Sequence, residues 1–152
     1  MKFIEKLFLK DLRLTGQIAL YFFMGVALLV FLIHAFIDLS FGYPLDYGEG
    51  PLLNHALRIT QGEPIYPTDL TSSPYLISNY PPVYVLLNAL FVAIFGPSLL
   101  IGRLIAVLST LGCAVLIGLI IRDCGKNQPR LAILSGASIF LIMPYVLQWS
   151  TL

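Results

Sequence analysis

Pro44-Leu45-Asp46-Tyr47-Gly48-Glu49-Gly50-Pro51 opens a polar interruption that runs to Pro82 between long apolar segments. It passes through Gly62-Glu63-Pro64-Ile65-Tyr66-Pro67 and closes with Ser78-Asn79-Tyr80-Pro81-Pro82-Val83-Tyr84. Four of the chain's eight acidic residues fall here, Asp46, Glu49, Glu63 and Asp69, against the single cation Arg58. Such an acidic excess suits the non-cytoplasmic side of a membrane, where Lys and Arg are scarce. Repeated prolines and the Tyr66, Tyr75 and Tyr80 series predict an irregular but stiff loop rather than a flexible linker. This stretch decides the fold, because the rest of the chain reads as membrane anchor built around it.

Outward from it, the composition is that of an all-α integral membrane protein. The 152 residues are 58% hydrophobic and 11% charged, with a mean hydropathy of +0.87, well outside the range of soluble domains. A net charge of +1 provides no basic field for nucleic acid. Cys113 and Cys124 have no neighbouring cysteine at metal or redox spacing and read as free thiols.

Residues 1–13 carry Lys2, Lys6, Lys10 and Arg13 among Phe3, Ile4, Leu7, Phe8 and Leu9. That pattern predicts an amphipathic, cytoplasmic N-terminus. Residues 14–39, polar only at Thr15, Gln17, His34 and Asp38, predict a first transmembrane helix, since a core of ~30 Å needs about 20 residues. His34 and Asp38, four apart, share a face near its outer end.

The external loop then covers 40–97 and contains two surface helices. The first spans 51–61, with Pro51 at its start and Gly62 as its stop. Asp46 and Glu49 stand just before its N-terminus, where a carboxylate also serves the helix dipole. The second spans 82–95, from Pro81-Pro82 to Gly96-Pro97. Its length, about 20 Å by helical rise, falls short of a crossing. Charge agrees: only if this helix stays outside does the basic loop 122–130, with Arg122, Lys126 and Arg130, lie inside with the basic N-terminus. Residues 98–121 predict a transmembrane helix running inward, with Arg103 near its outer end. Gly102, Ala106, Thr110, Ala114 and Gly118 recur every four residues there and make a close-packing face. Residues 131–152 predict a third crossing, kinked at Pro144. The expected protein is thus multi-pass in an inner or plasma membrane, with membrane lipid as a partner.

Chemically, paired carboxylates ahead of a surface helix, a rigid aromatic loop and an arginine on the same membrane face could handle a lipid-linked phosphate. Asp46-Tyr47-Gly48-Glu49-Gly50, Gly62-Glu63-Pro64-Ile65-Tyr66, Asn79-Tyr80-Pro81-Pro82-Val83-Tyr84 and Phe95-Gly96-Pro97-Ser98 with Gly102-Arg103 together resemble the N-terminal part of C-type membrane glycosyltransferases. Among these the chain is most similar to the bacterial branch related to protein O-mannosyltransferases and lipid A aminoarabinose transferase. The resemblance implies an inverting transfer in the cell envelope from a polyprenyl-phosphate-linked sugar to an external acceptor, with a carboxylate as base in the first external loop. By motif position Asp46 is the first candidate for that base and Glu49 the second, because the adjacent Asp-Glu pair common in relatives is missing here. Tyr80, Arg103, Arg58 and His55 are candidates for contacting sugar or phosphate. No organic cofactor is implied. Some relatives use a divalent metal, for which this sequence has no specific ligand cluster.

Members of that superfamily have many more transmembrane helices, so the chain resembles the first quarter or third of one, and the readings are a fragment, a truncated reading frame or a small stand-alone relative. It is expected to be inactive by itself without the further helices of a C-terminal part. The alternative is a non-enzymatic membrane subunit or assembly module whose external loop binds a partner or lipid.

Overall fold

A computed structural model describes residues 2–66, 69, 71, 81–124 and 130–151, excluding the side chains of residues 2–13. Every regular element among the described residues is a helix: α1 (Lys2–Ser40), α2 (Glu49–Thr60), α3 (Pro82–Phe95), α4 (Leu99–Cys124), α5 (Arg130–Leu141) and α6 (Pro144–Trp149). Two segments are long and apolar enough to cross a membrane, Leu14–Ser40 within α1 and Leu99–Cys124.

Four boundaries differ from expectation, each for a local reason. The amphipathic start and the first span form one 39-residue helix, because neither Gly nor Pro stands between Lys2 and Leu14 to interrupt it. α2 starts at Glu49 rather than Pro51, so Glu49 occupies its first turn instead of preceding it. Gly48 stands at the cap position with no side-chain cap bond. α4 continues to Cys124, three residues past the expected end. Finally, the segment expected as a third crossing is two helices separated at Ile142 and Met143. Pro144 has no N–H to give the Phe140 carbonyl, and it disfavours helical geometry at Met143. The expected loop 122–130 lies, from 125 to 129, outside the described residues.

The chain divides into two compact units. One comprises residues 1–36 and 108–149. Here α4 and α5 approach through glycine: a Cβ on Gly118 would stand 3.2 Å from Ile133 Cγ2, and one on Gly136 would collide with Ile121 Cδ1. The Ser135 hydroxyl donates a hydrogen bond to the Leu131 carbonyl at 2.6 Å, which satisfies a donor in an apolar helix.

The other unit comprises residues 37–107 and 150–152. Its core is the α2–α3 pair, where Leu52 and Ala56 pack with Ile65, Val85, Ala89 and Val92. Val85, Ala89 and Val92 keep the i, i+4, i+7 spacing of one helical face. The opposite side of α3 exposes Val83, Leu86, Leu90, Ile94 and Phe95. α2 ends as expected at Gly62, whose φ of 74° is the left-handed geometry that favours glycine. Gly96, with φ 85°, ends α3.

Candidate functional site

Arg103 sits in the second turn of α4 and is 1% exposed. A guanidinium has five N–H donors and cannot be neutralised in a protein, so its burial demands acceptors for each. Nε and Nη2 form a two-pronged pair with Glu49, at 2.7 Å to Oε1 and 2.8 Å to Oε2. Nη1 donates to the carbonyls of Asp38, at 2.7 Å, and Phe41. Nη2 donates also to the Tyr43 carbonyl at 2.7 Å.

These acceptors follow from the ends of two helices. α1 finishes at Ser40 and leaves carbonyls with no helical partner and a partial negative charge. Arg103 covers that end. α2 starts at Glu49, where free amides and the positive dipole end favour a carboxylate. Glu49 Oε2 takes a further bond, from Leu45 N–H at 2.8 Å. The loop from 41 to 48 is therefore tied at Phe41, Tyr43 and Leu45, and its tip is Asp46-Tyr47. Asp46 Oδ1 accepts the Tyr47 amide at 2.7 Å, and the Tyr47 ring is 86% exposed.

Asp38 ties in a last segment: its Oδ2 accepts the Thr151 hydroxyl at 2.8 Å, and Ser150 and Thr151 are both buried. Glu49, Leu53, Tyr84, Asn88, Gly102 and Arg103 border a cavity of ≈ 10 Å³. It would take about one water molecule, whereas sugar-sized ligands occupy sites of about 300–1,000 Å³. Asn88 is buried, and its Oδ1 has no hydrogen-bond partner among the described residues. Burial pushes the Tyr84 phenol above its ordinary value, and the Glu49 charge adds to the shift.

The structure thus brings Asp46, Glu49 and Arg103 together in one unit, but gives each different surroundings. Arg103 has all five donors occupied by protein acceptors, with none turned to a phosphate. Glu49 has both oxygens engaged. Asp46 alone stands at a partly exposed tip. Arg58 is committed elsewhere: Nη1 pairs with Glu63 at 3.0 Å, and Nε and Nη2 reach the Pro64 carbonyl at 3.3 Å, folding the chain back after α2. His55 lies on the buried side of α2 with Leu52 and Ala56, 2% exposed, and neither ring nitrogen has a partner among the described residues. Burial, with Arg58 nearby, lowers its pKa. Tyr80 lies outside the described residues. Among the described residues no three His, Cys, Asp or Glu side chains gather as a metal site, so no residue is assigned to one.

Asn88 and Thr151 were not nominated from sequence. Asn88 is detectable as the one polar residue in the run Val83–Phe95 apart from Tyr84, three beyond Val85 and four before Val92. Thr151 carries no such signal. No family model matches this chain, and no curated protein or solved structure matches it.

Proposed function

We propose that this chain supplies the base-bearing external loop of a membrane glycosyltransferase, which moves a sugar from a polyprenyl-phosphate donor to an external hydroxyl acceptor. The observation that carries it is the tethering of the acidic loop 41–49 to Arg103, at the junction of two membrane-length helices. A donor whose lipid tail stays in the bilayer presents its reacting sugar–phosphate bond at such a level. There a carboxylate can take the proton of the attacking hydroxyl as the sugar–oxygen bond forms and the lipid phosphate departs. Asp46 is the residue for that step. The leaving phosphate needs cationic or amide donors; with Arg103 occupied, these come from helices or residues other than those described here.

The alternative, a module whose external loop docks on lipid or on a partner, draws on the exposed apolar side of α3. Amide replacement in the complete protein separates the two. Asp46→Asn is expected to lower transfer from a polyprenyl-phosphate hexose in native membrane extracts by at least about 100-fold. Undiminished transfer by Asp46→Asn would remove Asp46 from the chemistry.

A further inference from the structure

We infer that Arg103 and Glu49 are positioning residues that hold the Asp46 loop in its working geometry, rather than a phosphate ligand and a second base. The inference deepens, and for its catalytic purpose rests on, the glycosyl-transfer reading above. A phosphate ligand needs N–H groups aimed at solvent or a pocket. Arg103 directs two at Glu49 and three at the carbonyls of Asp38, Phe41 and Tyr43, and its side chain is 1% exposed. A general base needs a free oxygen facing the acceptor hydroxyl. Glu49 takes three N–H donors on two oxygens, two from Arg103 and one from Leu45, and is 8% exposed.

What the pair does have is reach along the loop. Every second residue from Phe41 to Leu45 is bonded to one member or the other. The bonds stop one residue before Asp46. The remaining tip closes onto the start of α2 through the Glu49 amide and the Asp46 carbonyl, at 3.4 Å. The backbone on both sides of Asp46 is thereby restrained while its carboxylate stays accessible, the arrangement a preorganised base requires. The cost of burying two charges is offset because each is saturated with hydrogen bonds.

The test uses the complete membrane protein in proteoliposomes with a radiolabelled polyprenyl-phosphate hexose, together with amide hydrogen exchange over residues 41–49. Arg103→Lys keeps the charge but cannot supply five donors in a planar fork. It is expected to lower kcat by about 10–100-fold, the scale of a misplaced catalytic group, with the donor KM within about threefold of wild type. Exchange over 41–49 is expected to rise. Glu49→Gln, of the same size, is expected to change both readouts in the same direction. Asp46→Asn is expected to lower turnover by at least about 100-fold and leave exchange unchanged. A raised donor KM with retained kcat in Arg103→Lys would make Arg103 a phosphate ligand and overturn the inference. Unchanged exchange in both clamp variants would overturn it as well. If the wild type transfers nothing, the transfer reading fails and the clamp loses its catalytic purpose, while exchange still reports whether Arg103 restrains the loop.

Discussion

His55 is the residue whose surroundings conflict most with its chemistry. A neutral imidazole has one donor and one acceptor, and here both nitrogens are buried without partners among the described residues. Its folded pKa is lowered, by burial first and by Arg58 second. The unfolded chain therefore binds a proton more readily, and stability rises with pH across the titration. The contribution of neutral His55 is complete above the unfolded value of about 6.5 and is lost as pH falls through the lower folded value. The α2–α3 unit is expected to unfold more easily at acidic than at neutral pH, measured by chemical denaturation in detergent. His55→Leu should flatten that dependence and add about 1 kcal/mol at neutral pH, by removing unsatisfied polar atoms. Arg103 gives the opposite result. Arg103→Met leaves the Glu49 charge without its cation and takes the Arg103 bond from the Phe41 and Tyr43 carbonyls, while the Asp38 carbonyl keeps the Phe41 N–H at 3.2 Å, with an expected loss of about 3–5 kcal/mol. The double replacement Glu49→Met, Arg103→Met relieves only the charge. A double-mutant cycle should therefore show strong coupling while the double variant stays below wild type.

At the scale of elements, α3 has two unlike sides. Val85, Asn88, Ala89 and Val92 are covered, whereas Val83, Leu86, Leu90, Ile94 and Phe95 are between 53% and 73% exposed. Fourteen residues reach about 21 Å, short of a bilayer core, so that exposed side is expected to lie in the interfacial layer. Trp149 is the chain's single tryptophan. With it replaced by Phe, Ile94→Trp should be quenched by lipids brominated near the headgroup more than by lipids brominated at the chain ends. Stronger quenching from the chain ends would make α3 a deep or crossing helix. Where α4 meets α3, Gly102 is closely covered: an added Cβ would stand 2.6 Å from the Tyr84 hydroxyl. Gly102→Ala should cost about 1–3 kcal/mol in thermal or denaturant unfolding as Tyr84 shifts.

Element starts and stops were legible where they depend on local backbone chemistry. Pro81-Pro82 and Gly96 bound α3, and Gly62 ends α2. What depends on continuation or long-range partners was not. Nothing in Gly48-Glu49-Gly50 says that α2 begins two residues before Pro51, since glycine permits helix without favouring it. Charge and span order predict only that Arg103 and the Asp46–Glu49 pair share one membrane face, not that Arg103 pairs with Glu49. The bonds of Arg103 to the Asp38, Phe41 and Tyr43 carbonyls were not legible either, because a sequence does not show which backbone acceptors lack a helical partner. His55 is a candidate sugar or phosphate contact on the resemblance, but its place at i+3 from Leu52 puts it on the apolar side of α2, where it is buried.

At the scale of the whole molecule, sidedness is the property on which the proposed chemistry depends. Asp46 can meet an external acceptor only if the loop 41–49 faces outward. The cations of residues 2–13 and the acidic excess of residues 44–82 predict that arrangement by the preference of Lys and Arg for the cytoplasmic side. With Cys113 and Cys124 replaced by Ser, single cysteines at Tyr47, which is 86% exposed, Ser98 and Asn127 read it directly through an impermeant maleimide. Tyr47→Cys and Ser98→Cys are expected to label from outside, and Asn127→Cys only after permeabilisation. Tyr47 and Ser98 stand on either side of α3, so common labelling means that α3 returns to the face it left. The α4 span then runs inward from the Arg103 end, and a donor lipid in the outer leaflet can meet the Asp46 loop. Labelling at Tyr47 and Asn127 with Ser98 protected would make α3 a crossing. Since Arg103 binds Glu49 directly, that outcome could not leave the ion pair intact, so thiol labelling of these three positions tests the clamp as well as the topology.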